Sequence, residues 1–240
     1  QQMEQEHISL NKYISETGLC SRRDADKLIE AGREMINETI ARKGNRVTSS
    51  DKVYLDNELI IKNVDPVYIA FHKPVGVVCT TDEHDPDNII EHIQYKERIF
   101  PIGRLDKMSQ GLILLTNDGD IVNKILRAGN YHEKEYVVTV NKPIDSAFIK
   151  TMSTGVPILD TVTRPCKVRK IDDFTFNIIL TQGLNRQIRR MCEYLGYHVK
   201  SLTRVRIMDI TLDGIAYDTW RYLTEAETTW LMELVKNSRK

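Results

Sequence analysis

The sequence predicts an α+β protein in two parts: a small N-terminal αβ domain, residues 1–62, and a larger domain, residues 63–240. Two short helical patterns and several brief strand patterns fill the first part. A polar, proline-containing segment at 63–66 is typical of a linker. Beyond it, a series of short apolar or alternating runs predicts a large, mostly antiparallel mixed sheet flanked by helices.

The composition limits the class of protein. A length of 240 residues suits one large domain or a large and a small one, and 41% hydrophobic residues supply real cores. No apolar run approaches the ~18 residues needed to cross a membrane, and the polar, acidic N-terminus is unlike a signal peptide. The cysteines are far apart, without a Cys-x-x-Cys pair, which predicts reduced thiols in a cytosolic protein and no zinc site. The formal net charge is zero, so a nucleic-acid partner needs a local cluster of basic residues.

The N-terminal part begins with two predicted helices. Leu10, Tyr13 and Ile14 lie on one face of the first, which Gly18 ends. Ser21 is the predicted N-cap of the second, over residues 22–31. The residues of this second helix expected to face inward are Ala25, Leu28 and Ile29.

Basic residues mark the outer face of the second helix. Arg22, Arg23 and Lys27 project outward, with acidic residues interleaved at 24, 26 and 30 that nearly balance the charge. This pattern suits either an ordinary solvated face or a surface for phosphate groups.

The larger domain opens with a predicted strand at 67–71, a tight turn at 72–76 and a returning strand at 77–81 that would complete a hairpin. Lys73, in the turn, is interpreted as structural or as a weak contact for a nucleic-acid partner. The acidic loop at 82–87 includes His84, so a metal site is conceivable, but a solvated loop is the favoured interpretation. A short amphipathic helix is predicted around 88–93.

The segment 100–119 places one carboxylate, Asp106, between a polar loop and an apolar run. The run at 111–116 is predicted to be a short buried strand, followed by a turn at 117–119. Apolar residues at helical spacing from 120 to 126 predict a helix that Gly129 ends. Asp106 would then lie on a loop fixed at one end by a buried strand.

Further strands are predicted at 132–140, 156–160, 166–169 and 174–181, with a surface helix at about 143–152. All of these strands are expected to join the large sheet. On the first of them, Tyr136 shares a face with Lys134 and Val138. A tyrosine on a strand most often serves packing, and residue pattern alone leaves a functional role open.

The segment 183–196 predicts a helix with an apolar stripe, ending at Gly196. It opens a locally basic region that the neutral total hides, in which only Glu193 is in opposition. A solvated helix face is the alternative interpretation. The basic residues of this region are Arg186, Arg189, Arg190, Lys200, Arg204 and Arg206.

The C-terminal segment supplies closing strands at 201–208 and 210–215 and a final helix after residue 224. Thr224 and Glu227 have the spacing of a capping box.

Three motifs carry a family resemblance. They are Gly-Arg-Leu-Asp at 103–106 with Ser-Gln-Gly-Leu at 109–112, Lys-x-Tyr at 134–136, and Asn-Arg-Gln-Ile-Arg-Arg-Met at 185–191. Together they closely resemble the signature of RNA pseudouridine synthases of the RsuA family. The resemblance implies that Asp106 is the nucleophile, that Tyr136 lies beside the target base and that Arg189 pairs with the aspartate.

The resemblance also implies how RNA is held. Arg104 would fill or brace the space left by an extruded uridine. The remaining candidates for RNA contacts are Arg22, Arg23, Lys27, Arg186, Arg190 and Arg204. The family reaction is redox-neutral, and the chain has no nucleotide-binding fingerprint and no metal-ligand spacing, so neither a cofactor nor a metal is expected.

The first part resembles the S4 RNA-binding domain, on the pattern Leu-Cys-Ser-Arg-Arg-Asp-Ala-Asp-Lys-Leu-Ile at 19–29 and Gly32. Glu34 and Glu38 depart from that family's pattern, and Met108 departs from the synthase motif. The implied substrate is large-subunit (23S) ribosomal RNA, with a tRNA stem-loop as a further candidate. A monomer in the cytoplasm, without membrane association, is expected.

A function of a different class also fits the fold: a non-catalytic RNA-binding or ribosome-assembly factor. Asp106, Tyr136 and Arg189 together favour an enzyme, because a simple binder has no use for a carboxylate facing RNA.

Overall fold

A computed structural model describes residues 7–61, 65–128 and 131–237. Contacts divide the chain into two compact units. The first comprises residues 1–67, 95–100 and 116–120, and the second comprises residues 68–94, 101–115 and 121–240. The domain boundary expected at 62/63 stays a prediction, and residues 63 and 64 of the expected linker lie outside the described part.

The described residues form helices and strands as follows. The helices are α1 (Leu10–Glu16), α2 (Arg22–Glu30), α3 (Ile89–Ile93), α4 (Gly119–Ala128), α5 (Ser146–Thr154), α6 (Gln187–Tyr194) and α7 (Glu225–Asn237). The strands are β1 (Ile8–Ser9), β2 (Glu34–Ile36), β3 (Thr39–Ile40), β4 (Arg46–Val47), β5 (Val53–Leu55), β6 (Glu58–Ile60), β7 (Tyr68–Lys73), β8 (Phe100–Ile102), β9 (Gln110–Thr116), β10 (Lys134–Val140), β11 (Pro157–Ile158), β12 (Thr161–Val162), β13 (Lys167–Asp172), β14 (Thr175–Leu180), β15 (Val199–Ile207), β16 (Ile210–Thr211) and β17 (Trp220–Tyr222). None of the helices in these residues is long and apolar enough to cross a membrane.

In the first unit, α1 and α2 accompany a four-stranded sheet of order β3-β2-β5-β6 and a β1–β4 pair. Leu10 and Ile14 of α1 pack with Ala25 and Ile29 of α2 in one buried apolar cluster. The predicted cap is confirmed, since Ser21 Oγ accepts a hydrogen bond from the backbone N–H of Asp24 at 3.1 Å. Both helices predicted from the apolar spacing are therefore present.

Glu34 is the exception in this unit. It lies in β2, is fully buried, and neither of its carboxylate oxygens has a hydrogen-bond partner. Burial raises the pKa of Glu34 to about 7, and the charge of nearby Asp56 adds to the shift. The strand forms despite this residue because Leu55 and Val53 of β5 pair with its two ends.

Replacing Glu34 by Gln is expected to change how stability depends on pH. Because the pKa of Glu34 rises on folding, the stability associated with its proton is complete below the unfolded value and is lost as the pH rises through about 7. Between pH 5 and pH 8, Glu34→Gln should gain about 2–3 kcal/mol over wild type. Urea unfolding at both pH values measures this, and Glu58→Gln, at an exposed glutamate of β6, is the control. An identical pH response in all three proteins would contradict the prediction.

The second unit is built on a sheet of order β13-β14-β10-β15-β9-β7-β17, with β16 paired to β15 and β8 to β9. The pairings of β10 with β14 and β15, and of β17 with β7, are antiparallel, whereas β15 and β9 run parallel. The large, mixed sheet with flanking helices is therefore confirmed. The buried strand predicted at 111–116 is β9, an interior strand of this sheet.

The hairpin expected over residues 67–81 is wrong. Residues 77–81 do not pair with β7. Strand β7 pairs instead with β17, where Trp220 lies opposite Phe71. Instead, Val78 exchanges backbone hydrogen bonds with the 87–89 segment: its N–H donates to Asp87 and its carbonyl accepts from Ile89. The buried Lys73 ammonium explains the change, because it takes the carbonyl of Val77 at 2.7 Å and that of Pro74 at 2.9 Å.

The segment 156–160 is not a strand of the large sheet, contrary to expectation. Its strand β11 pairs only with β12 in a separate two-stranded sheet, within the described residues. Leu159 and Asp160, at the turn, have φ values of 48° and 60°. Two consecutive residues of positive φ form the tight turn that closes a local hairpin, so the strand pairs back on itself.

The remaining predicted helices are present, although α6, at Gln187–Tyr194, is clearly shorter than the segment 183–196 that predicted it. Helix α4 is described to Ala128, so the expected stop at Gly129 lies outside the described residues. The capping box of α7 is present, because Glu227 N–H donates to Thr224 Oγ1 and Thr224 N–H donates to Glu227 Oε1.

Candidate active site

The Asp106 loop is held by its backbone carbonyls. The carbonyl of Leu105 accepts from the Cys79 thiol, and that of Asp106 accepts from Ser109 N–H at 3.0 Å. The carbonyl of Lys107 accepts from the Lys73 ammonium at 3.2 Å and from Gly76 N–H at 2.8 Å. Because these bonds fix the main chain, they set the direction of the Asp106 side chain. The structural interpretation of Lys73 is confirmed, since the side chain is fully buried.

Arg204 fixes the same loop from the opposite strand. Its Nε donates to the Leu112 carbonyl at 2.8 Å, and its Nη1 lies 3.4 Å from the Arg104 carbonyl. Arg204 is only 5% exposed, and its hydrogen bonds support the loop. Its expected contact with RNA phosphate stays a prediction.

Close approach of two backbones makes this arrangement possible. Gly111 of β9 lies opposite Arg204 of β15 in the parallel pair. A Cβ atom added at Gly111 would lie only 2.6 Å from the Arg204 backbone nitrogen and nearer still to its carbonyl oxygen, and the φ value of Gly111 is +115°. Only glycine fits a position with both features.

Helix α6 supplies the guanidinium groups. Arg186, its N-cap, has a left-handed backbone with φ of 49°, which is uncommon for a non-glycine residue. Buried Gln187 stabilises this turn, since its Oε1 accepts from Leu184 N–H at 3.1 Å and its Nε2 donates to Gln182 Oε1 at 3.3 Å. The turn directs Arg186 and Arg189 toward the Asp106 loop.

Two arginines flank the carboxylate of Asp106. Its Oδ2 is 3.6 Å from Arg186 Nη1 and 3.7 Å from Arg189 Nε. These distances are longer than hydrogen bonds, so the attraction is Coulombic. Arg189 is anchored separately, because its Nη2 donates to Ser109 Oγ at 3.0 Å and its side chain is 12% exposed. Burial lowers the pKa of Arg189 and the charge of Arg186 adds to this, yet a guanidinium stays cationic at neutral pH.

These groups surround a cavity of about 580 Å³. Asp106, Tyr136 and Arg189, the three residues expected to be catalytic, all line it. Arg104, Arg186 and Arg204 line it as well, whereas Arg190 does not, because its guanidinium donates to the Asn185 backbone and side chain. Among the described lining residues, Asp106 is the one carboxylate.

Lys134 also lines the cavity, although the residue pattern did not mark it as a charged residue of the site. It lies two residues before Tyr136 on β10, and burial lowers its pKa, with the charge of Arg204 as a second cause. The sequence did contain one signal for this position: side chains alternate along a strand, so Lys134 was expected on the same face as Tyr136.

The basic region around α6 is less open than the sequence indicated. Arg206 binds Glu135 at 3.0 Å and Glu133 at 3.1 Å, so Glu193 is not the only acidic residue in opposition. Arg22, Arg23 and Lys27 are exposed on α2 in the other unit, and Lys27 lies 3.8 Å from Asp24. No group of three or more metal-ligating side chains occurs among the residues that the structure describes, including the loop around His84.

The chemistry available in the cavity is that of one carboxylate, cationic neighbours and an aromatic ring. The described lining holds no second carboxylate, so a glycosidase with an acid and a base is not supported. The cations suit an anionic substrate such as a phosphodiester.

Comparison with known proteins decides the class. A family model described as RNA pseudouridylate synthase matches residues 67–194, which include the Asp106 loop, Tyr136 and all of α6. The chain belongs to this family. The synthase is 56% identical to the dual-specificity RNA pseudouridine synthase RluF of Escherichia coli (strain K12), over 96% of this chain and 80% of that one.

Two further relatives agree. The synthase is 30% identical to the ribosomal large subunit pseudouridine synthase B of Bacillus subtilis (strain 168), over 96% of this chain and 98% of that one. A crystal structure of a pseudouridylate synthase superposes with a TM-score of 0.68 at 30% identity, covering 93% of this chain and 99% of that one. The family resemblance found in the motifs is confirmed. The synthase is an isomerase that converts uridine to pseudouridine in RNA.

Proposed function

We propose that this synthase modifies uridines of structured large-subunit (23S) ribosomal RNA and of a tRNA stem-loop, with Asp106 as the nucleophile. One observation carries the assignment to Asp106: it is the one carboxylate among the described cavity residues, and two arginines lie within 3.7 Å of its Oδ2. The choice of RNA is supported by the names of relatives, one a dual-specificity RNA enzyme and one a ribosomal large-subunit enzyme.

The reaction needs a carboxylate that is ionised and fixed. Isomerisation breaks the N1–C1′ bond, turns the base and joins C5 to C1′, so it is redox-neutral and needs no high-energy donor. Arg186 and Arg189 stabilise negative charge on Asp106 while RNA displaces water from the cavity. Arg189 keeps this position without the carboxylate, because Ser109 anchors it independently.

The target uridine has to leave its helix before it reaches Asp106. Extrusion of a stacked base costs a few kcal/mol. Tyr136 offers the flipped uracil an aromatic face inside the cavity, and exposed Arg104 at the edge occupies the vacated space. The supporting observation is that both residues line the cavity that contains Asp106.

Residues 1–62, the larger part of the first unit, are proposed to be an S4-type RNA-binding domain. Its two helices and small sheet are the elements expected of such a domain, and Arg22, Arg23 and Lys27 are exposed on α2. Contacts of these residues with phosphates position the RNA without reading its bases. A cytoplasmic monomer that uses no cofactor completes the proposal.

Release of tritium tests the substrate assignment. Unmodified 23S rRNA and tRNA carrying tritium at uridine C5 are incubated with the synthase, and we expect label to enter solvent from both RNAs. The rate at limiting enzyme should fall as salt increases, because phosphate contacts are lost to counterions. RNA labelled at cytidine C5 is the control and should retain its label. Absence of release from both uridine-labelled RNAs would reject this choice of substrates, and release from one alone would reject the other.

A further inference from the structure

An aromatic–arginine pair, with an exposed tyrosine and a half-buried arginine, lies beside the active-site cavity. Tyr131, just before β10, is 69% exposed, which is the highest value among the large apolar and aromatic side chains of the described residues. The guanidinium carbon of Arg164 lies 4.3 Å from the centre of the Tyr131 ring. Other cation–π pairs in the described chain are longer, at 5.4 Å for Arg98 with Phe100 and 5.7 Å for Lys142 with Tyr197.

The pair is anchored to the wall of the cavity. The backbone N–H of Arg164 donates to Gln182 Oε1 at 3.1 Å, and its Nη1 lies 3.5 Å from the Thr181 carbonyl. The same Gln182 oxygen accepts from Gln187 of α6, and Gln182 and Gln187 both line the cavity. The Tyr131–Arg164 pair is therefore continuous with the surface that receives the target uridine.

The positive charge of Arg164 is not compensated within the described part of the chain. No carboxylate of the described residues forms an ion pair with Arg164, unlike Arg206, which binds two glutamates. Lys134, on the cavity side, lies close to Gly183, the residue after Gln182. The rim near Gln182 thus combines an open aromatic face with two cations, which is the combination that binds unstacked nucleotides.

We propose that Tyr131 and Arg164 form a binding site for an unstacked nucleotide of the RNA substrate that neighbours the target uridine. Its base stacks on the open face of Tyr131, and its phosphate contacts the guanidinium of Arg164. The partner is RNA because the pair joins a cavity whose substrate is RNA, and the proposal in this respect rests on the proposed function. The site would hold the strand open after the uridine has been extruded.

Substitution of Tyr131 tests the site. The probe is the shortest rRNA stem-loop that the wild-type synthase modifies, with 2-aminopurine placed in turn at the nucleotides on either side of the target. Tyr131→Ala should raise the Kd for this RNA about 5- to 100-fold, because base–aromatic stacking has that magnitude. Tyr131→Phe should bind like wild type, since it keeps the ring. Arg164→Gln should also weaken binding and reduce its salt dependence.

A second readout separates stacking from general damage. The fluorescence of 2-aminopurine at one flanking position should be quenched by wild type and by Tyr131→Phe, but not by Tyr131→Ala. The matched control is Tyr222→Ala. This tyrosine is 51% exposed on β17, an end strand of the sheet that is four strands away from β10, so its substitution should not change the Kd.

The outcomes are distinct. Unchanged Kd and unchanged quenching in both Tyr131→Ala and Arg164→Gln would overturn the nucleotide site while the wild-type enzyme still releases tritium. Failure of the wild type to modify any RNA would instead overturn the proposed function.

Discussion

Asp106→Asn is expected to abolish isomerisation. The amide has the size of the carboxylate but no negative charge, so it does not serve as a nucleophile, and the rate should fall at least ~10³-fold. The fold should be unaffected, because the bonds that fix the loop go to the carbonyls of residues 104–107 and not to the Asp106 side chain. Binding of RNA should be equal or tighter, since the change removes a negative charge from a phosphate-binding cavity. Single-turnover tritium release and filter binding measure the two effects.

The control for this variant is Asp173→Asn, at an exposed aspartate that pairs with Lys170 in the β13–β14 turn. It should release tritium at the wild-type rate. If Asp106→Asn did the same, then the carboxylate next to Arg186 and Arg189 would not be the nucleophile. A large loss of RNA binding in Asp106→Asn would show instead that the side chain supports the fold.

Gly111→Ala is expected to have the largest effect on stability. The new Cβ would overlap the carbonyl oxygen of Arg204, which is backbone and therefore not free to rotate away. The positive φ of Gly111 adds strain for any L-residue. Separation of β9 from β15 is the remaining way to relieve the overlap, so we expect a loss of roughly 3–5 kcal/mol in the free energy of unfolding. Urea unfolding and thermal melting measure this loss.

Gly214→Ala separates the two causes. Gly214 also has positive φ, at +78°, but no atom lies within 4 Å of the position that its Cβ would occupy. This control should lose only about 1 kcal/mol, the cost of backbone strain alone. Equal losses in the two variants would show that contact with Arg204 is not limiting. Where Gly111→Ala remains folded, its activity should still drop, because Arg204 then no longer holds the loop of Asp106 in place.

Local sequence determined most of the regular elements. Apolar spacing located α1, α2 and α6, and Ser21 and Thr224 marked helix starts that the structure confirms by hydrogen bonds. These predictions succeed because a helix or a buried strand is selected by residues close together in the chain. The hairpin expected over residues 67–81 failed because a side chain, the Lys73 ammonium, takes the carbonyl of Val77, which the returning strand would have used.

For the site, the motifs of the chain were sufficient to name Asp106, Tyr136 and Arg189 and to indicate the family. They were not sufficient to tell which arginines flank the carboxylate and which support the backbone, since Arg186 and Arg204 both belong to the same basic region of the sequence. That distinction depends on burial and on partners distant in the chain: Arg204 reaches the carbonyls of Arg104 and Leu112, and Arg189 reaches Ser109. Only the tertiary structure brings these groups together, because the parallel pairing of β9 with β15 joins segments about ninety residues apart.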